Sequence, residues 1–415
     1  MTICGIDFGT SNSAIAIVDD KLVTLAKLED ENLTIPSAIF YNHEGVPFYG
    51  TAAIESFFMG DEGRLMRSFK RTLGTYLIEY GAIINGKLKR YDHIMAGFLR
   101  SIKHAAEKEQ GNELLNVVMG RPVHFVDGDD DADNNAQTQL ESIAKMAGFK
   151  NIEFQFEPIA AAFSHERKIL NEKLALVVDI GGGTSDFTVI KLSPELADKS
   201  DRSDDILASS GTRVGGNDFD FDFCLNNFMQ HFGFKSTYGV KNMEVPLSPF
   251  FDMSEWSRVN SLYVPKMIKQ LKEIYIQSHD QTRFGRFLET VEGKKGYKIL
   301  SKVEDAKIQL TAKQDHKIEM DFLKDSFSMN LNRQEFNNVV NHHIDKIVKY
   351  INECLKQAKV TQKDINFIIL TGGTTEIPLL QKTVKSIFPH AEISEENKFS
   401  SIALGLGYDS IRKFS

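Results

Sequence analysis

The chain has 415 residues, of which 42% are hydrophobic and 26% charged, and a formal net charge of −8. That length is well beyond the size at which one core stops growing, so two lobes are expected, and the composition is ordinary for a globular protein. The acidic balance argues against a nucleic-acid or acidic-membrane surface, because phosphate binding needs clustered Lys and Arg; neither partner is expected.

The N-terminal run MTICGIDFGTSNSAIAIV has no basic leading region and carries Asp7 inside its apolar stretch. It reads as a strand, not a secretion signal. No apolar segment approaches the roughly 20 residues a spanning helix needs. The three cysteines, Cys4, Cys224 and Cys354, share no metal-ligand spacing. They read as reduced thiols, and a cytoplasmic chain is expected.

Ile6-Asp7-Phe8-Gly9-Thr10-Ser11 is followed by the run Ala14 to Val18. A buried strand, an Asp, a glycine turn with Thr and Ser, and a second strand together predict a β-hairpin. Residues of about 40–114 form an insertion, and Val117 to Val123 reads as a strand. The acidic stretch Asp127 to Asp133 lacks the twelfth-position glutamate of a calcium loop, so a solvated loop is expected.

Leu176-Val177-Val178-Asp179-Ile180-Gly181-Gly182-Gly183-Thr184-Ser185, leading into Phe187 to Ile190, repeats the first pattern. Successive N–H groups in such turns form an anion-binding concavity. An Asp at the end of a buried apolar strand is costly unless it has a partner. Meeting that arrangement twice points to a metal–phosphate ligand shared by two similar lobes.

Residues 225–300 carry helical patterns, the single tryptophan Trp256, and Lys266, Lys269 and Lys272, which predict a solvated helix face. His342-His343 reads as surface or packing, not as a metal pair. A third glycine element, Ile368 to Pro378 with Gly372-Gly373-Thr374-Thr375, predicts a strand, a turn and a helix start with Thr as N-cap, where an anion is favoured.

In order and spacing, these elements resemble the ATPase domain of the heat-shock-70 chaperone family over nearly the whole chain. The resemblance is carried by DFGTSNS (7–13), FKRTLG (69–74), FEPIAAAF (156–163), DIGGGTSDF (179–187), RVGGNDFD (213–220), VEDAKIQLT (303–311) and LTGGTTEIP (370–378). It implies an α/β actin-like ATPase fold (ribonuclease H-like): two lobes, each a duplicated mixed β-sheet with flanking helices, with nucleotide in the central cleft. The lobes would be 1–185, with an insertion at about 40–114, and 186–415, with one at about 225–325.

Carried over residue by residue, the resemblance implies that Asp7 and Asp179 hold Mg²⁺ through its water shell. Gly9, Thr10, Ser11 and Asn12, with Gly181, Gly182, Gly183 and Thr184, would bind the β- and γ-phosphates of ATP or ADP. Lys70 would reach the γ-phosphate and position the attacking water, with Glu157 and Asp186 close to metal and water. Gly215 and Gly216 would line the phosphate side of the second lobe. Glu304, Lys307 and Thr311, spaced to share one helical face, would meet ribose and adenine opposite Gly372, Gly373 and Thr374.

The departures are equally specific. Ile308 stands where the family has an adenine-stacking Arg, Ala136-Gln137-Thr138-Gln139 lacks the Arg that relays the ATP state, and Glu376 replaces another Arg. The sequence closes on Lys413-Phe414-Ser415, and the expectation is a protein without a leucine-rich linker or peptide-binding domain. The expectation is a slow, Mg-dependent ATPase that is chaperone-like, monomeric, and switches an unidentified protein partner or co-chaperone. A sugar-type small-molecule kinase or an actin-like filament-former of the same fold are the alternatives.

Overall fold

A computed structural model describes residues 2–126, 128–197, 199, 201–394 and 400–414. Two sheets of the same connectivity organise its larger unit. In the first, β1 (Ile3–Phe8), β2 (Asn12–Asp19) and β3 (Leu22–Leu25) run antiparallel in sequence. On its other side β1 pairs in parallel with β4 (Asn116–Arg121), and β4 with β5 (Asn151–Phe156). Helix α1 (Asp130–Ala147) bridges β4 and β5, and α2 (Glu157–Glu166) follows β5.

The second sheet repeats this plan. Strands β6 (Lys173–Ile180), β7 (Ser185–Leu192) and β8 (Ile206–Thr212) are antiparallel. The chain then makes α3 (Gly216–Phe223), α4 (Gly296–Ala312) and α5 (Arg333–Gln357) among other elements. It returns as β9 (Phe367–Thr371), parallel to β6, and β10 (Glu392–Ile393), parallel to β9. Helix α6 (Pro378–Ile387) bridges β9 and β10, and α7 (Ser401–Phe414) follows them as α2 follows β5. Both predicted hairpins therefore exist, with Asp7 opposite Ala14 and Asp179 opposite Asp186.

Central strands covered on both faces need near-continuous apolar runs. The run Ala175 to Val178 is fully buried, as are Ile6 and Phe8 of β1. One apolar cluster joins Val118 of the first sheet, Ile159 to Phe163 of α2, Val177 and Ile369 of the second sheet, and Leu406 of α7. The backbones of α2 and α7 approach closely because Ala160 and Gly405 face each other: a Cβ on Gly405 would lie 1.6 Å from the Ala160 carbonyl oxygen. Backbone cannot yield as a side-chain tip can, so Gly405→Ala should cost about 3 kcal/mol or more. Urea unfolding measures this, and a loss below about 1 kcal/mol would contradict the close approach.

The chain divides into two compact units. The first runs to Gly216 and includes Lys346–Glu376 and the residues from Leu380 on; the second holds Asn217–Asp345 and Ile377–Leu379. The second unit is built on aromatic packing: Phe223, Phe228, Phe250, Phe284 and Phe287 are fully buried, and Trp256 stacks on Tyr297 at 5.4 Å. Lys266, Lys269 and Lys272 lie on an exposed helix face, as expected. Among the described residues no helix is long and apolar enough to cross a membrane.

The acidic stretch is not a solvated loop. Asp127 lies outside the described residues, but Asp130, Asp131 and Asp133 form the first turn of α1, where negative charge complements the helix dipole. Asp129 is the cap, accepting a hydrogen bond from the Ala132 N–H at 2.9 Å. Asp133 is buried, accepting from the Arg121 guanidinium and from the Phe125 N–H. A second correction concerns the third glycine element. A tight 3-10 turn, Gly373–Glu376, separates β9 from α6, and Thr374 does not cap the helix. Its hydroxyl instead donates to the Gly181 carbonyl at 2.9 Å.

Candidate functional site: glycine turns around a carboxylate cluster

The two Asp–glycine turns meet. A Cβ on Gly183 would lie 3.0 Å from the Thr10 hydroxyl oxygen, and one on Gly215 only 2.7 Å from Gly182. The Gly216 N–H donates to the Gly181 carbonyl at 2.9 Å, and Thr374 donates to that same oxygen. Gly372, at φ +79°, sits where a Cβ would be 2.3 Å from the Ile180 carbonyl oxygen, so only glycine fits comfortably. Gly9, Thr10 and Ser11, Gly181 to Thr184, Gly215 and Gly216, and Gly372 to Thr374 thus belong to one neighbourhood of the first unit. Asn12, the first residue of β2, is exposed beside it.

Beneath the turns lie the carboxylates. Asp7 is the last residue but one of β1, half-buried; Asp179 is the last but one of β6, buried; Asp186 is the second of β7, buried; and Glu157 opens α2 immediately before Pro158. Glu157, Asp179 and Asp186 each present a carboxylate oxygen within 4.8 Å of the others. Lys70, buried in a short 3-10 turn, places its Nζ 2.8 Å from Glu157 Oε1.

Burial, then the Glu157 charge, pushes the Asp186 carboxyl up to about 8, against the opposing pull of the Val123 N–H, the Thr184 hydroxyl and Lys70. Burial and Glu157 likewise push Asp7 up to about 7, with Lys70 opposing. Asp179 is raised by burial, Glu157, Asp186 and Asp7. Asp186 Oδ1 accepts from the Val123 N–H at 2.8 Å, whereas its Oδ2 is buried with no hydrogen-bond partner among the described residues. Crowded hard oxygen donors with one buried oxygen unsatisfied fit a hydrated divalent cation such as Mg²⁺.

These features are shared by a known family. The sequence profile described as "Hsp70 protein" matches residues 3–250 and 288–408. The chain belongs to the Hsp70 family. Its fold is therefore the actin-like ATPase fold, the two matching sheets being its duplicated core. Similar curated proteins include "Chaperone protein DnaK" of Thermosipho melanesiensis, 27% identical over 97% of this chain and 58% of that protein. DnaK of Thermosipho africanus is 26% identical over the same shares, and DnaK of Mycoplasmopsis pulmonis 26% over 97% and 57%. The chain thus spans somewhat over half the length of these relatives.

Glu304, Lys307 and Thr311 share a half-buried face of α4 in the second unit, as their spacing predicts. Lys307 Nζ is engaged by Asp220 Oδ2 at 2.7 Å. Ile308, where the Hsp70 family carries arginine, is 55% exposed, enough to meet a ligand or solvent directly. The residues replacing the missing relay arginine make contacts of their own: Gln137 accepts from Arg121, and Gln139 accepts from the Gly74 N–H at 2.9 Å.

Sequence reasoning missed three supporting positions. The Ser37 hydroxyl donates to the Gly9 carbonyl at 2.7 Å, steadying the first turn. Gly211 lies so close to Asp186 that a Cβ would be 2.4 Å from its Oδ1. Val123 supplies the N–H that orients the same carboxylate. None carries a local pattern; only the strand pairing that brings β8 beside β7 could have indicated Gly211.

Proposed function

We propose that this chain binds ATP with Mg²⁺ and hydrolyses it slowly to ADP and phosphate, as a nucleotide-controlled, chaperone-like switch for a protein partner. The observation that carries this reading is the convergence of glycine turns over a buried, under-neutralised carboxylate cluster. Phosphoryl transfer to water needs little covalent help; positioning and charge stabilisation do most of it. Asp7 and Asp179 would hold Mg²⁺ through its water shell, and the cation would supply positive charge against the phosphates. Lys70 adds charge at the γ-phosphate, and its bond to Glu157 fixes where that charge sits. Glu157 and Asp186 orient the attacking water.

The backbone N–H groups of Gly9 to Asn12 and Gly181 to Thr184, with Gly215 and Gly216, take the phosphates. Gly372, Gly373 and Thr374 face the ribose and adenine. The lobes are assigned as 1–185 and 186–415. A cytoplasmic monomer working with a protein partner or co-chaperone is part of the same reading; the chaperone relatives support the protein partner.

The test is a thermal melt with and without Mg·ATP. A ligand bound only by the native state at a hundredfold excess over Kd adds about 2.7 kcal/mol. Absence of any shift with millimolar Mg·ATP overturns the reading. The same melt with GTP reads base discrimination, expected to be modest because Ile308 offers no guanidinium plane for the base.

A further inference from the structure

Asp222, on α3, and the adjacent His342 and His343, on α5, form a second cluster that shares no residue with the nucleotide site. One donor atom from each lies within 4.8 Å of the others. Neighbouring residues on a helix project about 100° apart, yet these two rings come to 3.9 Å between centroids, converging on Asp222. His343 Nε2 is 2.7 Å from Asp222 Oδ2, and His342 Nε2 is 3.2 Å from the same oxygen.

The hydrogen bonding leaves this arrangement incomplete. His342 Nδ1 lies 3.0 Å from the Val339 carbonyl, which can only accept, so Nδ1 carries the proton. In a neutral His342 the other nitrogen, Nε2, then holds a bare lone pair aimed at the Asp222 carboxylate. Two acceptors facing one another repel unless positive charge lies between them. The Val339 contact is also the kind of outer bond that orients a metal-ligating histidine. His343 is held independently, stacked on Phe219 at 5.2 Å with 15° between planes.

We propose that Asp222, His342 and His343 bind a divalent transition-metal cation of the Zn²⁺ class. Two imidazole nitrogens and one carboxylate oxygen suit zinc and its neighbours, whereas magnesium and calcium prefer all-oxygen sites. Ligand bonds of about 2.0–2.2 Å are reached by small side-chain rotations from the observed separations. His343 moves its ring proton to Nδ1, freeing Nε2. His342 is exposed while Asp222 and His343 are half-buried, so solvent reaches the site and water completes the coordination. The cation would tie α3 to α5.

The test uses the full chain, stripped of metal by a chelator and then held in excess Mg²⁺ and ADP so that the oxygen cluster is occupied. Zn²⁺ is titrated against a chromophoric chelator. One equivalent is expected to bind in the parent, weakened tenfold or more in His342→Gln and in Asp222→Asn. His342 is exposed, so His342→Gln should melt like the parent without metal, which separates lost ligation from lost folding. Co²⁺ should give the visible bands of a four-coordinate complex in the parent and lose them in His342→Gln. No Zn²⁺ binding by the parent, or equal binding by His342→Gln, overturns the site.

Discussion

Lys70→Met should lower ATP turnover on the order of 10²–10³-fold, the usual worth of a preorganised charge aimed at a transferring group. Lys70 is nearly inaccessible to solvent, and its Nζ is held at 2.8 Å by Glu157. Removing the ammonium also leaves Glu157 buried without its ion-pair partner, which typically destabilises by about 3–5 kcal/mol. Two controls separate the effects. The double variant Lys70→Met with Glu157→Gln removes the unpaired charge and should recover much of the stability without recovering turnover. Val177→Ala, deep in β6 and fully buried, should lose stability while keeping parental turnover per folded molecule. Asp179→Asn should join the slow variants and also weaken the dependence on Mg²⁺. Parental turnover in both Lys70→Met and Asp179→Asn, measured as phosphate release at saturating ATP, would mean the site is misassigned.

The parts of this site that were legible in the sequence are those carried by local chemistry. An Asp closing a buried run before a glycine turn is costly, and its occurrence at Asp7 and again at Asp179 identified both hairpins and their strand pairing. The helical spacing of Glu304, Lys307 and Thr311 gave their common face for the same reason. What stayed hidden depends on contacts between distant segments. The acidic stretch looked like a loop because nothing local says that Arg121, at the end of β4, reaches Asp133. The Thr374-Thr375 pair looked like a source of a helix cap because the partner of Thr374, the Gly181 carbonyl, lies in another turn. His342 and His343 read as surface or packing, and their shared contact with Asp222 was hidden because Asp222 is far away in the chain. Family resemblance supplied the overall order of elements, but it could not supply contacts at positions where this chain departs from the family pattern.

Neutralising one acid of the cluster should make the metal-free protein more stable while abolishing turnover, and Asp186→Asn is the clearest case. The direction follows from proton linkage. Burial and Glu157 raise the Asp186 carboxyl from 3.8 to about 8. Between those values the folded chain holds a proton that the unfolded chain has released, so stability falls as pH rises through that interval. Asparagine does not titrate. The variant's advantage should therefore be near zero at about pH 4 and complete above about pH 8. It should reach at least about 1.4 kcal/mol, the worth of a single pKa unit. The substitution keeps the acceptor for the Val123 N–H, and its new amide lies among the Glu157 and Asp179 carboxylates, which can accept from it. A divalent cation bound in the parent supplies the same neutralisation, so Mg²⁺ with ADP should narrow the gap between the two proteins at alkaline pH. Urea unfolding across the pH range, with and without Mg·ADP, measures both effects. If Asp186→Asn is no more stable than the parent at alkaline pH without metal, the cluster is not under the electrostatic strain its geometry implies, and the case for a cation there loses its physical basis.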